Sequence, residues 1–554
     1  MPHVVIQSCC SDGSCVLACP VNCIHPAPGE PGFAEAEMLY VDPDSCVDCG
    51  ACATACPADA IVPHTTLTPA QQPFLALNAE YFDAFPHADR TPLARVPEQR
   101  RLVREGPFRV AVVGAGPAGL YAADELLAHP EITVDVYDRL PTPYGLVRFG
   151  VAPDHPQTKQ AQRLFEAIER QPGFRYFLGV DVGKDISHAE LAAHYHAVIY
   201  TVGAASDRPL GVPGDDLPGS LSATDFVAWY NGHPDKQDLV VALDAAAVPS
   251  GRAVVVGNGN VALDVARVLT EDPSLLEGTD IATLPLERLR RSGIREVVVL
   301  GRRGPAEAAF TVPELVGLAG HGGVNVVVDT GGQPIEGADT KSRLLREMSA
   351  REIDPVKRTI VLRFLASPVR VLGEGHVAGV EIAHNRLEAD GTASPRAVAT
   401  GTTEVIEAGL LLRAVGYHGL PVADLPYDAR AGVVPNEHGR VRPGVYVSGW
   451  VKRGPSGFIG TNKADSRETV EQVLDDLDAG ACAEPVAGAA AIAGLVRRRQ
   501  PAVVDLSGWQ AIEREERRRG AEHGRPRLKI VDIDEMLRVA HEQARRPRLR
   551  KARS

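Results

Sequence analysis

Between residues 107 and 480, short β-branched runs alternate with Ala- and Leu-rich segments that have helical spacing. Two apolar runs, at residues 110–113 and 254–256, are each followed by a glycine-rich turn. The segments after these turns, at 120–128 and 261–269, have a helical pattern. Apolar strands that alternate with helices are typical of parallel sheets covered on both faces. The pattern therefore predicts an α/β architecture with two Rossmann-like units.

The flanking regions differ in composition from this α/β part. Residues 1–65 hold nine of the ten cysteines and contain no Lys or Arg. Residues 66–106 are interrupted by five prolines, which predicts a linker. Residues 513–554 carry fourteen Lys/Arg against eight Asp/Glu. The region after residue 480 is therefore predicted to be an extension that is partly helical or disordered.

The cysteines follow the spacing of an iron–sulfur protein. Four of them form a C-x2-C-x2-C-x3-C-P run, the spacing of bacterial ferredoxins: Cys46, Cys49, Cys52 and Cys56. Three others form a complementary upstream half that also ends in Cys-Pro: Cys9, Cys15 and Cys19. Zinc is the competing interpretation, but zinc sites favour paired C-x2-C units and do not account for two C-x3-C-P elements. The cysteine block therefore predicts two iron–sulfur clusters.

In bacterial ferredoxins the last cysteine of each run binds the other cluster. This rule predicts one [4Fe–4S] cluster with the ligands Cys19, Cys46, Cys49 and Cys52. It leaves three thiolates for a second cluster, namely Cys9, Cys15 and Cys56. Three thiolates favour [3Fe–4S], and Cys10 or Cys23 could add a fourth ligand. Both [3Fe–4S] and [4Fe–4S] stay open for this cluster.

The first glycine turn has the G-x-G-x-x-G spacing of a dinucleotide site, with glycines at 114, 116 and 119. Gly114 allows the tight turn, Gly116 lets a pyrophosphate approach, and Gly119 lets helix and strand pack. The next apolar run ends in Asp138, where a carboxylate can bind a ribose hydroxyl. An acid at this place disfavours a 2′-phosphate. The turn is therefore predicted to bind FAD or NAD.

The second glycine turn has the opposite ribose partner. Gly257 and Gly259 are followed by Ala262, and the next apolar run ends in Arg302 and Arg303. Because guanidinium groups suit a 2′-phosphate, this site is predicted to bind NADP. The arginines follow Gly257 at more than the usual distance of about 20 residues. Residues 272–293 are therefore predicted to be an insertion or an extra helix.

Charge and hydropathy exclude other classes of function. The formal net charge of −13 argues against nucleic acid as a partner. The chain has no run of 18 apolar residues, which argues against membrane insertion. Residues 1–20 lack the basic and apolar regions of a signal peptide, so a cytoplasmic location is expected.

Taken together, these motifs resemble the adrenodoxin reductase type of ferredoxin–NADP reductase, and more closely its bacterial members with a fused N-terminal ferredoxin. The matching segments cover most of 107–480 and are residues 113–119, 143–148, 150–156, 257–267, 302–305, 310–311 and 449–461. The resemblance implies a multidomain fold, an α+β bacterial ferredoxin domain followed by two interleaved Rossmann-like domains.

The resemblance also implies domain bounds. They are a two-cluster ferredoxin at 1–65, a linker at 66–106, an FAD-binding domain in two parts at 107–210 and 413–480, an NADP-binding domain at 211–412, and the extension at 481–554.

Where the motifs match, the resemblance implies roles for individual residues of this chain. FAD contacts are implied for Gly114, Gly116, Ala118, Gly119, Asp138, Leu146, Val182, Trp450, Gly457, Phe458 and Ile459. NADP contacts are implied for Gly257, Asn258, Gly259, Asn260, Val261, Arg302, Arg303 and Glu314, with Gly457 near both rings. His155 and Glu314 resemble the polar catalytic pair beside the flavin in this family.

The implied activity is electron transport from NADPH. A hydride passes to FAD, and single electrons then reach the fused clusters, an external ferredoxin or a cytochrome P450 system. Two alternatives remain at this point. One is an electron-feeding subunit similar to the small subunit of glutamate synthase, and the other is a non-enzymatic redox carrier or sensor. The sequence does not indicate the oligomeric state.

Overall fold

The computed structural model of the protein describes residues 2–87, 100–204, 206–389, 395–488 and 490–544. The chain forms two compact units. The first comprises Met1–Arg95, Ala152–Thr158 and Asp207–Tyr417, and the second comprises Val96–Val151, Lys159–Ser206 and His418–Ser554. Within the part of the chain that the structure describes, no helix is both long and apolar enough to cross a bilayer.

The N-terminal part of the first unit has two small antiparallel sheets and short helices. The strand pairs are His3–Val5 with Ile61–Pro63 and Ile24–His25 with Tyr40–Val41. The helices are Ser14–Ala18, Ala51–Ala55, the 3-10 turn His64–Thr66 and Pro73–Ala84. Cys15 and Cys52 lie in the two five-residue helices, and Cys19 and Cys56 end them, so this small fold positions these four thiols.

The linker expected at 66–106 contains a helix, Pro73–Ala84. Pro73 stands in its first turn, where a missing N–H costs nothing and the fixed φ favours the helix. The helix packs through buried Phe74, Leu77 and Asn78. Residues 88–99 of the linker lie outside the described residues.

The larger part of the first unit contains a parallel sheet of six strands. Their order is Ser220–Ser222, Leu410–Arg413, Arg252–Val256, Glu296–Leu300, Thr359–Arg363 and Asn325–Asp329. An antiparallel sheet follows, with strands Ala366–Leu372, Gly379–Glu388 and Arg396–Glu407. The helices are Ala223–Tyr230, Asn260–Thr270, Pro273–Leu276, Thr283–Arg290, Val312–Ala319 and Thr340–Ser349, with 3-10 turns Pro234–Lys236 and Pro305–Glu307. Two of these helices fall within residues 272–293, as the spacing of the second glycine turn required.

The second unit is built on another six-stranded sheet. Its strand order is Arg440–Arg442, Val445–Val447, Ala197–Tyr200, Phe108–Val113, Ile132–Asp138 and Phe174–Leu178. All neighbours are parallel except the first pair. The helices are Pro117–Leu127, Gly145–Phe149, Gln162–Ile168, His188–Ala192, Trp450–Arg453 and Thr461–Asp478. Short elements at Pro156–Lys159, Ser206–Asp207 and Tyr417–His418 lie where the chain passes from one unit to the other.

The C-terminal extension is folded to a greater extent than its composition indicates. It forms helices Ala491–Arg499, Leu506–Glu522 and Ile533–Ala544 within the second unit. Trp509 is fully buried, and Arg148 forms a two-pronged ion pair with Glu516 at 2.5 and 3.0 Å. The charged composition was misleading because some of these charges are paired inside the unit. Residues 545–554, the end of the extension that was predicted to be partly helical or disordered, lie outside the described residues.

A buried carboxyl group makes the stability of the second unit depend on pH. Burial raises the pKa of Glu169 from 4.5 to about 8, and the nearby Glu513 and Glu166 add to this rise. The folded state therefore binds this proton more tightly than the unfolded chain does. We expect the free energy of unfolding to fall as pH rises from about 5 to about 8, by at most about 1.4 kcal/mol per pH unit, and to level off above pH 8.

Replacement of Glu169 by Gln should remove this slope and stabilise the protein at pH 8.5. Urea unfolding at pH 5.5 and 8.5 measures the effect, and Glu131→Gln, at an exposed position of the same unit, is the control. An equal slope in the Glu169→Gln variant and the unaltered chain would show that this carboxyl is not the titrating group.

Candidate functional site

The first glycine turn leaves no room for side chains. It connects strand Phe108–Val113 to helix Pro117–Leu127. Gly114 has φ 114°, and a Cβ atom there would lie 2.6 Å from the carbonyl oxygen of Thr201. A Cβ atom on Gly119 would lie 2.0 Å from the carbonyl oxygen of Gly114. The backbone N–H groups of the helix start are thus open to a ligand such as a pyrophosphate.

Asp138 lies at the same edge of the sheet as this turn. It ends strand Ile132–Asp138, which pairs in parallel with Phe108–Val113. Its carboxylate accepts hydrogen bonds from the N–H groups of Ala115 at 2.8 Å and Leu140 at 2.9 Å. Burial raises the pKa of Asp138, and these two donors partly oppose that rise. Each carboxylate oxygen retains a lone pair for a ribose hydroxyl.

The remaining residues implied for FAD occupy three places in the second unit. A Cβ atom on Gly449, next to Trp450, would lie 2.7 Å from the Ala118 Cβ, so these two segments touch. The indole N–H of Trp450 donates to the Ser456 carbonyl at 3.1 Å, at the start of the turn with Gly457, Phe458 and Ile459. Leu146 is 38% exposed on helix Gly145–Phe149. Val182 follows Val180, whose N–H donates to the Asp138 carbonyl oxygen.

The second glycine turn is built like the first. Gly257 has φ 110°, and a Cβ atom there would lie 2.3 Å from the carbonyl oxygen of Ala414. Strands Arg252–Val256 and Glu296–Leu300 pair in parallel with Val256 opposite Leu300. Arg302 and Arg303 therefore follow at the same sheet edge as Gly257, with Arg302 exposed and Arg303 half-buried. The structure thus brings together the glycines and guanidinium groups that lie far apart in sequence.

Side-chain amides connect the second turn to the segment before helix Val312–Ala319. Asn260 accepts from the Thr311 N–H at 2.9 Å and donates to the Thr311 hydroxyl at 3.2 Å. Asn258 accepts from the Ala309 N–H at 3.5 Å. Val261 stands in the first turn of helix Asn260–Thr270. These contacts fix the turn relative to Glu314 on the neighbouring helix.

Glu314 and His155 meet at a buried guanidinium group, that of Arg267, which is 4% exposed. The Arg267 guanidinium contacts Asp154 at 2.8 Å, Asp264 at 2.6 Å and the carboxylate of Glu314. The His155 Nε2 atom lies 2.5 Å from the Arg267 guanidinium, 3.2 Å from Asp264 and 3.7 Å from Glu314. One cation and one histidine are thus held among three carboxylates.

The cluster sets the protonation of its members. Burial and Arg267 both lower the pKa of His155, but Asp264 and Glu314 outweigh them, so its pKa is raised above 6.5. Burial alone would raise the pKa of Asp154, yet Arg267 lowers it to about 2. When neutral, Nε2 accepts from Arg267; when protonated, it donates to Asp264. His155 can therefore hold or release a proton at Nε2 by exchanging partners.

Asp154, Asp264 and Arg267 were not among the residues predicted from the sequence. The one signal for Asp264 and Arg267 was helical spacing, because they stand three residues apart on helix Asn260–Thr270. Gln7, whose amide donates to Glu314 at 3.1 Å, was not predicted either.

Five cysteine thiols line one cavity next to His3 and Pro20: Cys19, Cys23, Cys46, Cys49 and Cys52. Four of them are the predicted ligands of the first cluster. The fifth, Cys23, lies 3.4 Å from Cys19 by Sγ–Sγ distance. Cys23 therefore stands in the first group, and its suggested place as a ligand of the second cluster is corrected. The reason is the turn after Cys19, whose thiol accepts from the Cys23 N–H at 3.4 Å.

A second group of thiols contains Cys9, Cys15 and Cys56, with Cys10 and Asp12 beside them. Burial raises the pKa of Cys9 to about 11, and the nearby Cys56 and Asp12 add to the rise. Burial likewise raises the pKa of Cys15, with contributions from Cys9, Asp12, Cys56 and also Cys52 of the first group. The three thiols thus lie in one region of the N-terminal part of the chain, and their role as ligands of a second cluster stays a prediction.

The N-terminal part of the first unit, which holds the cysteines and is called the cysteine-rich part below, contacts other helices of the same unit. The Glu37 carboxylate accepts from the Val312 N–H at 2.7 Å, at the start of the helix that carries Glu314. The Glu80 carboxylate accepts from the Thr340 hydroxyl at 2.6 Å and from Arg343 at 2.9 Å. Gln7 packs against Gly317, where a Cβ atom would lie 2.3 Å from its amide nitrogen. The end of the cysteine-rich part near Cys9 therefore faces Glu314.

Two family models match parts of the chain. A model described as "Pyridine nucleotide-disulphide oxidoreductase" matches residues 108–290. A model described as "4Fe-4S binding domain" matches residues 39–62. The chain thus combines a Rossmann-type oxidoreductase fold with an N-terminal iron–sulfur region.

Some curated relatives match nearly the whole chain, and others match 78% of it. A "Probable ferredoxin/ferredoxin--NADP reductase" of Mycobacterium leprae is 49% identical, with 98% of each chain covered. The mitochondrial "NADPH:adrenodoxin oxidoreductase" of Arabidopsis thaliana is 40% identical over 78% of this chain and 95% of its own. The solved structure of FprA from Mycobacterium tuberculosis in complex with NADPH is 44% identical, with a TM-score of 0.75, and the match covers 78% of this chain and 99% of that chain.

Proposed function

The chain belongs to the ferredoxin–NADP reductases that carry a fused ferredoxin region, and we propose that it passes electrons from NADPH through FAD to iron–sulfur clusters in its own N-terminal part. The observation that carries this proposal is the presence, in one chain, of two glycine turns with opposite ribose partners and two groups of thiols. The relative of matching length argues against a glutamate synthase subunit. The intact glycine turns argue against a carrier without flavin chemistry.

The residues present fit both nucleotides. Glycines whose Cβ atoms would collide with the backbone form each pyrophosphate turn. Asp138 suits the ribose of FAD, and Arg302 with Arg303 suits the 2′-phosphate of NADP. When bound, FAD accepts hydride from NADPH and delivers electrons one at a time to iron–sulfur clusters. The remaining contacts named above, from Ala118 to Ile459 and from Asn258 to Val261, position the two cofactors.

The Arg267 cluster handles protons in this proposal. His155 and Glu314 are the pair that the resemblance places beside the flavin. The Arg267 guanidinium donates to the Glu314 carboxylate, and His155 holds or releases a proton at Nε2 by exchanging Arg267 for Asp264. Their role is to position the nicotinamide end of NADPH and to supply or accept one proton.

The two groups of thiols have different places in the route. Gln7, which contacts Glu314, lies two residues before Cys9, so the Cys9 group is the one nearer to the nucleotide-binding part. Cys49, in the other group, is exposed. We infer that electrons enter at the Cys9 group and leave at the Cys49 group. The external electron acceptor is then a ferredoxin or a cytochrome P450 system that binds to the surface around Cys49. The cytoplasmic location stays a prediction.

The test is an anaerobic titration of the purified protein with NADPH, followed by absorbance and EPR. We expect bleaching of the flavin band and EPR signals of reduced clusters. Flavin bleaching without cluster signals would mean that the fused clusters do not accept electrons from the flavin. The absence of bleaching in flavin-loaded protein would remove the NADPH assignment.

Two cysteine variants test the order of the route. Cys49→Ser should still allow NADPH to reduce the Cys9-group cluster, but reduction of an added ferredoxin should fall about tenfold or more. Cys9→Ser should slow reduction of the Cys49-group cluster instead. The control is Cys482→Ser, because this buried thiol lies outside both groups and contacts the Tyr446 hydroxyl at 3.6 Å. Equal behaviour of Cys49→Ser and Cys9→Ser would contradict a serial route.

A further inference from the structure

The buried carboxylate of Glu314 receives hydrogen bonds from two separate parts of the chain. Arg267, on helix Asn260–Thr270, donates to Oε1. The Gln7 amide, in the cysteine-rich part, donates to Oε2 at 3.1 Å. Because Glu314 is only 8% exposed, water offers little compensation for a donor that is lost. The surroundings of Glu314 are therefore shared between the nucleotide-binding part and the cysteine-rich part.

The main chain on both sides of Gln7 is held in place. Strand His3–Val5 ends two residues before it. The Ile6 N–H donates to the Ala60 carbonyl at 2.9 Å, and the Cys9 N–H donates to the Ile6 carbonyl at 3.1 Å. The Gln7 side chain thus starts from a fixed position in the cysteine-rich part.

Helix Val312–Ala319 leaves a gap through which the Gln7 amide reaches Glu314. The gap is at Gly317, three residues after Glu314 and therefore on the same side of the helix. A Cβ atom on Gly317 would lie 2.3 Å from the amide nitrogen of Gln7 and 2.4 Å from its amide oxygen. Any larger residue at this position would displace the amide.

The cysteine-rich part also contacts both ends of this helix. At its start, the Glu37 carboxylate accepts from the Val312 N–H at 2.7 Å. After its end, a Cβ atom on Gly320 would lie 2.9 Å from the Ala70 Cβ atom. The amide contact in the middle therefore lies between two others that hold the helix against the cysteine-rich part.

We propose that Gln7 is a positioning residue for Glu314, so that the cysteine-rich part completes the proton-handling site of the nucleotide-binding part. A donor on each oxygen fixes the plane of the carboxylate. Gln7 thereby keeps Oε1 directed at Arg267, at 3.7 Å from the His155 Nε2 atom. The proposal rests on the role that the proposed function gives to Glu314 and His155.

This role of Gln7 is separate from electron transfer to the clusters. It acts on the step in which NADPH reduces the flavin, before any electron reaches a cluster. Loss of the amide should therefore slow this step although both groups of thiols are unchanged. Binding of NADPH should change little, because the second glycine turn and the two arginines proposed to hold its phosphates remain.

The test is stopped-flow reduction of the flavin in the full-length protein with its cofactors, at a series of NADPH concentrations. Gln7→Leu removes the donor. We expect the limiting rate constant to fall about tenfold and the half-saturating NADPH concentration to change less than about twofold. Gly317→Ala, which displaces the amide, should have the same effect. The double variant should be no slower than either single variant, because both changes remove one contact.

Each variant has a matched control. Gln72→Leu removes an exposed amide of the cysteine-rich part that donates to the Leu67 carbonyl at 3.3 Å. Gly322→Ala adds a Cβ atom that no atom of the described residues approaches within 4 Å. Both controls should keep the limiting rate constant of the unaltered chain.

An unchanged limiting rate constant in Gln7→Leu, with flavin and clusters bound, would overturn the proposal. Equal losses of rate and of NADPH affinity would also overturn it, because they indicate a general structural change, and so would additive losses in the double variant. If Gln7→Leu failed to bind its clusters, Gly317→Ala would decide by the same criteria. The absence of flavin reduction in the unaltered chain would overturn the proposed function, and this proposal with it.

Discussion

Replacement of both Arg302 and Arg303 by alanine is expected to raise the KM for NADPH about a hundredfold, with little change for NADH. The two guanidinium groups follow the strand next to the second glycine turn, where the 2′-phosphate of NADP would lie. Charge-assisted hydrogen bonds contribute about 1.5–3 kcal/mol each, and loss of two at the lower end of this range, about 3 kcal/mol in all, corresponds to a factor of about a hundred. NADH lacks the phosphate, so its kinetics should be retained. Steady-state reduction of ferricyanide with each nucleotide measures the change.

A matched arginine separates the specific effect from loss of general positive charge. Arg386 lies in the same unit, is exposed and pairs with Glu388 at 2.6 Å. Arg386→Ala should leave the ratio of kcat/KM for NADPH and NADH unchanged. If the double variant lost activity with both nucleotides to the same extent, the arginines would have a structural role and the 2′-phosphate assignment would be wrong.

Replacement of Arg267 by methionine is expected to lower the free energy of unfolding by about 3–5 kcal/mol. Arg267 is the cation among Asp154, Asp264 and Glu314, and its loss leaves these carboxylates buried without their common partner. Arg267 lowers the pKa of Asp154, so without Arg267 this carboxyl group binds a proton more readily. Urea unfolding at pH 7 measures the loss, which should shrink as pH falls because Asp154 can then be buried in its protonated form.

The same variant should change the titration of His155. Arg267 lowers the pKa of His155, so its removal should raise that pKa further. The pH profile of hydride transfer should then shift to higher pH, which loss of packing alone would not cause. Arg267→Lys should restore part of the stability. Arg290→Met, at an exposed ion pair with Glu277, should cost less than about 1 kcal/mol. If Arg267→Met lowered the free energy of unfolding by as little as Arg290→Met does, the stabilising role of Arg267 among the three carboxylates would be contradicted.

Local patterns in the sequence led to a prediction of the chemistry of each segment. The glycine spacing at 114–119 and 257–262, the acid at 138 and the arginines at 302 and 303 each follow a strand that short-range periodicity reveals. The spacing of the C-x3-C-P elements likewise predicts cysteine ligands of iron–sulfur clusters. Such features can be recognised in the sequence because a turn, a strand end or a metal-binding motif depends on neighbouring residues.

The tertiary structure decided which distant groups meet. Nothing in the local pattern links Gln7 to Glu314, or Arg267 to Asp154 and His155, because these contacts form only when separate elements pack. The C-terminal helices were underestimated for the same reason, since the partner of Glu516 is Arg148. Sequence thus determined the chemical parts, and packing determined their partners, because burial and long-range pairing bring together residues that are remote along the chain.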